Sequence, residues 1–222
     1  MAEKTKDDIL FQEIDEELRQ DRAHQLWQAY GKYAIAAVVV IIAAVGGYQS
    51  WRNYDLSTRR AAGERFHAAM GLAATNKNDA AFKAFADIAA DGSKGYQLLA
   101  RFSQARILAQ NGKSLDASLA YRVLADDVSV DSLYRGLATI LGAYQDLNSP
   151  GADFAALKQR LQPLMAKTDP WRFSAQEITG LLSMRSGDKT KARELFSALD
   201  KDRDTPQGVR TRAQEMLSIL GK

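Results

Sequence analysis

Few side chains in this sequence are equipped for catalysis, and their spacing does not serve it. There are two histidines, His24 and His67, and no cysteine. Thiolate nucleophiles, disulfides and cysteine metal sites are therefore excluded, and two isolated histidines complete neither a metal set nor a catalytic dyad. Carboxylates are many, but apart from the Asp7/Asp8 and Asp126/Asp127 pairs, the Asp15–Glu17 run and the acids around Asp202 they are scattered. Clusters of this kind at helix ends complement the helix dipole or stand in water more often than they act as acid and base. No glycine-rich phosphate loop follows a strand, because no strand pattern is present. Lys and Arg are interspersed with acids and no aromatic-basic run recurs, so nucleic acid is not an expected partner despite a net charge of +3. The expectation is a chain that works by contact: not an enzyme, and without cofactor or metal.

The elements that present such contacts begin with KYAIAAVVVIIAAVGGYQSWR, from Lys32 to Arg52. Nineteen uncharged residues lie between those cations, and at about 1.5 Å each they reach about 28 Å, close to the hydrocarbon thickness of a bilayer. Ile35, Val38, Val39, Val40, Ile41, Ile42 and Val45 all favour insertion. Tyr30 and Tyr33 at one end, and Tyr48, Trp51 and Tyr54 at the other, form aromatic belts suited to headgroups. A buried helix of a soluble domain seldom stays apolar all round for five turns. A cleaved signal peptide has a short basic leader, whereas 32 mostly polar residues precede this run. The reading is a retained transmembrane helix over 33–51 in contact with the lipid bilayer. Arg19, Arg22 and Lys32 before it, and Arg52, Arg59, Arg60 and Arg65 after it, leave orientation undecided on charge. Within it, Ala43 and Gly47 form a small-xxx-small pair that lets another helix approach.

Residues 1–32 are acidic and lack proline. Thr5 gives an N-cap signal, and Phe11, Ile14 and Leu18 follow at helical spacing, so a helix is expected over about 6–29. Residues 1–51 carry 5 bases and 8 acids, residues 52–222 carry 25 and 19. The 52–222 segment shows the 3.6-residue period throughout, with breaks near 76–78, 92–95, 111–113, 129–130, 148–151, 168–170, 186–188 and 202–206. That cuts it into about nine helices joined as antiparallel hairpins.

Several hairpins share one pattern. Gly180, Gly187, Ala192, Phe196 and Leu199 recur at the same offsets as Ala105, Gly112, Ala117, Tyr121 and Leu124, and more weakly as Ala69, Asn76, Ala81, Phe85 and Ile88. The hairpin at 131–166 fits in part, with Leu137 and Ala138 on its first helix and Leu157, Leu161 and Leu164 on its second, across a longer, proline-containing turn. Ala81, Ala117, Leu157 and Ala192 stand 36, 40 and 35 residues apart. Thr205 as N-cap, Pro206 at the first helical position, and Val209, Ala213, Met216, Leu217 and Leu220 on one face mark a final capping helix.

These offsets resemble the tetratricopeptide repeat, in which small residues let two helices approach and an aromatic on the second plugs the gap to the next repeat. The expected fold is all-α: a single N-terminal transmembrane helix, then a TPR-like α-solenoid of helical hairpins over 52–222 with a C-terminal capping helix. In such hairpins the first helices form a groove. Carrying the register across points to Phe66, Met70, Phe102 and Arg106 in the first two repeats, and to Thr139, Leu181 and Met184 in the later ones, as protein-binding residues.

EIDEELRQDRAHQLWQAYGKY, the single apolar span, the GYQSWRNY exit and the repeat domain together resemble the bacterial family of ancillary SecYEG translocon subunits. That resemblance implies an inner-membrane protein with a cytoplasmic N-terminus and a periplasmic repeat domain. It also implies SecYEG subunits and periplasmic chaperones as partners. The expectation is a tethered, non-enzymatic adaptor that binds exported polypeptides beside the channel. The alternative is a homo-oligomerising TPR module that organises envelope assembly or division.

Overall fold

The structure, a computed structural model, describes the backbone of residues 6–147, 149 and 151–221, with side chains described from Trp27 onward except at 29 and 34. The Thr5 cap, the side chains of Phe11, Ile14, Leu18 and His24, and Asn148 and Pro150 in the break at 148–151 lie outside the described residues. Among the described residues the fold is all-α: α1 (Lys6–Ala74), α2 (Asn78–Asp91), α3 (Lys94–Gln110), α4 (Ser114–Asp126), α5 (Ser132–Leu147), α6 (Phe154–Leu161), a 3-10 turn (Gln162–Met165), α7 (Arg172–Arg185), α8 (Lys189–Lys201) and α9 (Gln207–Leu220). The chain divides into two compact units, one ending at Thr58 and one beginning at Arg59.

In the first unit the helix expected over 6–29 and the apolar span lie within the single helix α1. Ile35, Val38, Val39, Val40, Ile41, Ile42 and Val45 are each more than half exposed, as are the flanking Tyr30, Tyr33, Tyr48, Trp51 and Tyr54. The helix is long and apolar enough to cross a membrane.

The second unit is built on three turns of one construction. Asn76, Gly112 and Gly187 have φ of 58°, 76° and 81°, the left-handed region that a helix-ending residue adopts most easily as Gly or Asn. Each donates its N–H to the carbonyl three residues back (Ala73, Ala109, Met184), and the following N–H reaches five back, to Leu72, Leu108 and Ser183. That pair of bonds satisfies the last carbonyls of the first helix and folds the chain straight into the second.

Packing follows the register seen in the sequence. Ala69, Ala81, Phe85 and Ile88 form one buried cluster with Ala100 and Ile107. Ala105, Ala117, Tyr121 and Leu124 form the next with Ala138. Ala192, Phe196 and Leu199 form the last with Val209 and Ala213 of α9. Gly180 is required by close approach: a Cβ there would stand 2.8 Å from the Phe196 ring.

The third hairpin departs from the pattern for a local reason. Asp153 caps α6, accepting from the N–H groups of Ala155 and Ala156 at 3.0 Å, but Pro163 has no N–H to continue the ladder. The second helix therefore stops at Leu161, and Leu164, expected on it, lies in the 3-10 turn and packs half-buried on the α5–α7 core. At α9, Pro206 is extended (φ −54°, ψ 138°) and is itself the cap residue, so Thr205 makes no cap bond and the helix starts at Gln207. The expected apolar face is present: Val209 and Ala213 are buried, and Met216, Leu217 and Leu220 pack beside them.

At the α4–α5 corner Asp127 accepts from the Ser129 hydroxyl at 2.6 Å, the Ser129 N–H at 3.0 Å and Arg101 Nη1 at 2.9 Å. The Ser129 hydroxyl bond, then Arg101, lowers its pKa from 3.8 to about 2. A lowered folded-state pKa means that this contribution to stability is present above about 3.8 and is lost as pH falls through about 2. Asp127→Asn is expected to remove that part of the acid limb, read as the difference between the two proteins in urea unfolding from pH 2 to 4.5.

Candidate functional site

The first helices of the hairpins are the C-terminal part of α1, then α3, α5 and α7. One position beyond the small marker residues Ala69, Ala105, Ala138 and Gly180 they carry Met70, Arg106, Thr139 and Leu181. Met70 is 36% exposed and Arg106 is exposed. Arg106 Nη2 lies 3.6 Å from the Met70 sulfur, so two residues separated by one repeat length in sequence meet on the surface. Among the described residues no carboxylate forms an ion pair with Arg106. Thr139 is half-buried and its hydroxyl donates to the Arg135 carbonyl at 3.0 Å. Leu181 is half-buried between the last two clusters, and Met184 packs against the α8–α9 core.

Three residues before the markers, Phe66 and Phe102 turn toward their own second helices. The Phe66 ring packs at a tilt against Phe85 and Tyr96, with centroids 5.3 Å and 5.6 Å apart, and Phe102 does so against Tyr121 at 6.1 Å. Both rings are partly buried. Of the expected groove residues the structure brings Met70 and Arg106 together, in a thioether-and-guanidinium patch that can bury a partner's apolar side chain and accept an anionic group at Arg106. Burial raises the Tyr121 pKa, and the nearby Arg106 charge opposes that shift.

One polar cluster was not singled out from sequence. Glu177 on α7 is 3% exposed. It accepts from Arg212 Nε and, at 2.8 Å, from Arg212 Nη2 on α9, and from the Tyr144 hydroxyl of α5 at 3.2 Å. Burial first, then the Glu177 charge and hydrogen bond, raises the Tyr144 pKa to about 12; the Glu177 bond raises that of Arg212. The partners are 33 and 35 residues away, which periodicity alone does not reveal.

A cleft among α4, α5 and α6 was also not foreseen. It is a shallow cleft open to solvent over Gly142 and Ala143, with Arg122 and Arg160 on its walls. Arg122 pairs with the buried Asp146 at 3.4 Å and Arg160 with Asp126 at 2.7 Å. Among the described residues no group of three or more His, Asp or Glu is placed to hold a metal ion.

Stacked helical hairpins with small residues at the crossings and aromatic plugs define a repeat domain of the kind that works by binding other proteins. The tetratricopeptide repeat-like domain family matches residues 24–216, and the chain belongs to that family. No curated protein and no solved structure matches it.

Proposed function

We propose that this protein is a membrane-tethered, non-enzymatic adaptor whose first-helix face holds polypeptides beside the protein-export channel. The observation that carries the reading is the meeting of exposed Met70 with Arg106 across one repeat of a protein-binding fold. A flexible thioether repacks against varied apolar side chains, which suits a binder of many chains. Phe66, Phe102, Thr139, Leu181 and Met184 complete the groove. Tethering makes modest affinity sufficient, because it holds the binder near its partners at an effective concentration toward the millimolar range.

The anchor is the exposed apolar stretch of α1. Its small-xxx-small pair, Ala43 and Gly47, is where a helix of another membrane protein would pack, and a Cβ at Gly47 would meet nothing within 4 Å. The proposed division is a cytoplasmic segment 1–32, a span 33–51 and a periplasmic domain 52–222. The resemblance to ancillary SecYEG subunits supports channel subunits and periplasmic chaperones as the partners.

Photo-crosslinkers at Met70 and Arg106 of the full chain in cells test this. Recovery of channel subunits, chaperones and exported chains is expected. Recovery of cytoplasmic proteins alone would overturn the topology, and self-crosslinks alone would favour the oligomerising module. Val39→Arg replaces a residue favouring insertion with one that opposes it by about 2.5 to 3.5 kcal/mol. It is expected to release the chain from membranes on carbonate washing.

A further inference from the structure

The described methionine side chains stand in two kinds of surroundings. Met165, Met184 and Met216 are half-buried. Met165 packs on the α5–α7 core, where its sulfur accepts from the Thr179 hydroxyl at 3.7 Å, and Met184 and Met216 pack on the α8–α9 cluster. Met70 is the exposed one, and its sulfur lies 3.6 Å from Nη2 of Arg106 on the neighbouring first helix. A thioether is a weak acceptor, so this contact satisfies little of the guanidinium's donor capacity. Among the described residues no carboxylate is paired with it. The chain has no cysteine, so a peroxide in solution has no thiolate to consume it and an exposed thioether becomes a main target. Met70 thus combines access with a charged donor set against its sulfur.

We propose that Met70 is a reversible oxidation site whose sulfoxide is held by Arg106. The oxidant is a peroxide. A sulfur lone pair attacks one peroxide oxygen, the S–O bond forms as the O–O bond breaks, and the departing hydroxide takes the proton of the transferred hydroxyl to leave as water. Sulfur is oxidised by two electrons and the peroxide is reduced to water. The guanidinium stands on one side of the sulfur, which makes its two lone pairs unequal, so one sulfoxide epimer is formed in excess. Rotation about the last side-chain bond of Met70 brings the new oxygen to Nη2. There a strong, charge-assisted hydrogen bond replaces the weak one to sulfur. Oxidation thereby turns a flexible apolar side chain polar and engages its neighbouring cation in one step. The consequence for binding rests on the groove reading above: the oxidised groove holds apolar, acid-bearing polypeptide less well. The modification itself does not depend on that reading.

The full chain in lipid nanodiscs, treated with dilute hydrogen peroxide and followed by peptide mass spectrometry, tests this. Met70 sulfoxide is expected to accumulate several-fold faster than that of Met165, Met184 or Met216. One epimer should predominate, read by which of two epimer-specific sulfoxide reductases removes it. Arg106→Leu, at an exposed site, is expected to bring the epimers near equality. Phenylglyoxal, which modifies arginine, is expected to react with Arg106 several-fold more slowly once Met70 is oxidised. Equal rates at all four methionines would overturn the proposal, as would equal epimers in the native chain or an Arg106 whose reactivity does not change. A fluorescent peptide alternating Leu and Glu reads the consequence. Peroxide should weaken its binding several-fold, reductase should restore it, and Met70→Leu should be indifferent to peroxide. An equal loss in Met70→Leu would show that another residue is the switch. Failure of the peptide to bind the reduced chain would count against the groove reading, while the epimer ratio still decides the modification.

Discussion

Phe196→Ala is expected to lower the stability of the repeat domain by about 3 to 5 kcal/mol, the range for truncating a fully buried aromatic ring. The ring is 0% exposed and lies against Gly180, whose missing side chain makes room for it. Removing the ring leaves a void bounded on one side by helix backbone, which cannot shift inward without moving α7 as a whole. Partial relaxation is what keeps such costs at the upper end. A domain of ordinary stability has about 5 to 15 kcal/mol in total, so much of it is lost, with Val209 and Ala213 of α9 losing their support in the same cluster. The converse change, Gly180→Ala, pushes a methyl to 2.8 Å from the same ring and is expected to cost about 1 to 3 kcal/mol as overpacking. Urea unfolding of the full chain, followed by far-ultraviolet circular dichroism, reads both. A loss below about 1 kcal/mol for Phe196→Ala would mean that the ring does not plug the stack.

The same contact shows why most of the fold was legible. A small residue on a first helix, a Gly or Asn in the turn, and Ala, aromatic and Leu on the second are local requirements. The turn residue supplies a left-handed φ, the small residue permits the crossing, and the ring fills it. Each leaves a mark at a fixed offset, so Asn76, placed in register with Gly112 and Gly187, falls in the left-handed region as they do.

Where a requirement is met from outside the repeat, the sequence is silent. Gly136 reads as an ordinary helix residue until the Trp171 ring is seen over it, with its Nε1 donating to the Leu133 carbonyl at 2.9 Å. Position 157 fits the register, yet Pro163 cuts its helix short, and the cleft beside α6 follows from that short helix and from Gly142 and Ala143 beneath it. The expected groove positions rest on carrying a register across, a rule that gives location but not orientation. Met70 and Arg106 stand exposed in their column, whereas Phe66 and Phe102 divide their rings between surface and core. Glu177 was one acid among many, because a carboxylate on a buried face is recognisable only once its counter-ion on α9 is known.

That buried carboxylate gives the second large effect. Arg212→Ala removes both charged donors from Glu177, whose side chain is 4% exposed, and leaves it the Tyr144 hydroxyl alone. Breaking one side of a buried pair costs about 3 to 5 kcal/mol. Because the Arg212 side chain is 52% exposed, water entering its place offsets part of this, and the expected loss is about 2 to 4 kcal/mol. Glu177→Gln combined with Arg212→Ala is expected to lose less than the two single changes added together, since the second removes the charge that the first leaves unpaired. Simple additivity would show that the pair contributes nothing as a pair. Tyr144 gives an independent readout at alkaline pH. Its pKa is raised in the folded protein, from 10.0 to about 12. Its contribution to stability is therefore present below about 10 and is lost as pH rises through about 12. The difference in unfolding free energy between the native chain and Tyr144→Phe should shrink across that window, and should shrink more in an Arg212→Ala background, where the charge that opposes the shift is gone. A difference that stays flat from pH 9 to 12 would show that the hydroxyl titrates as it does in water, and that Glu177 is not held against it.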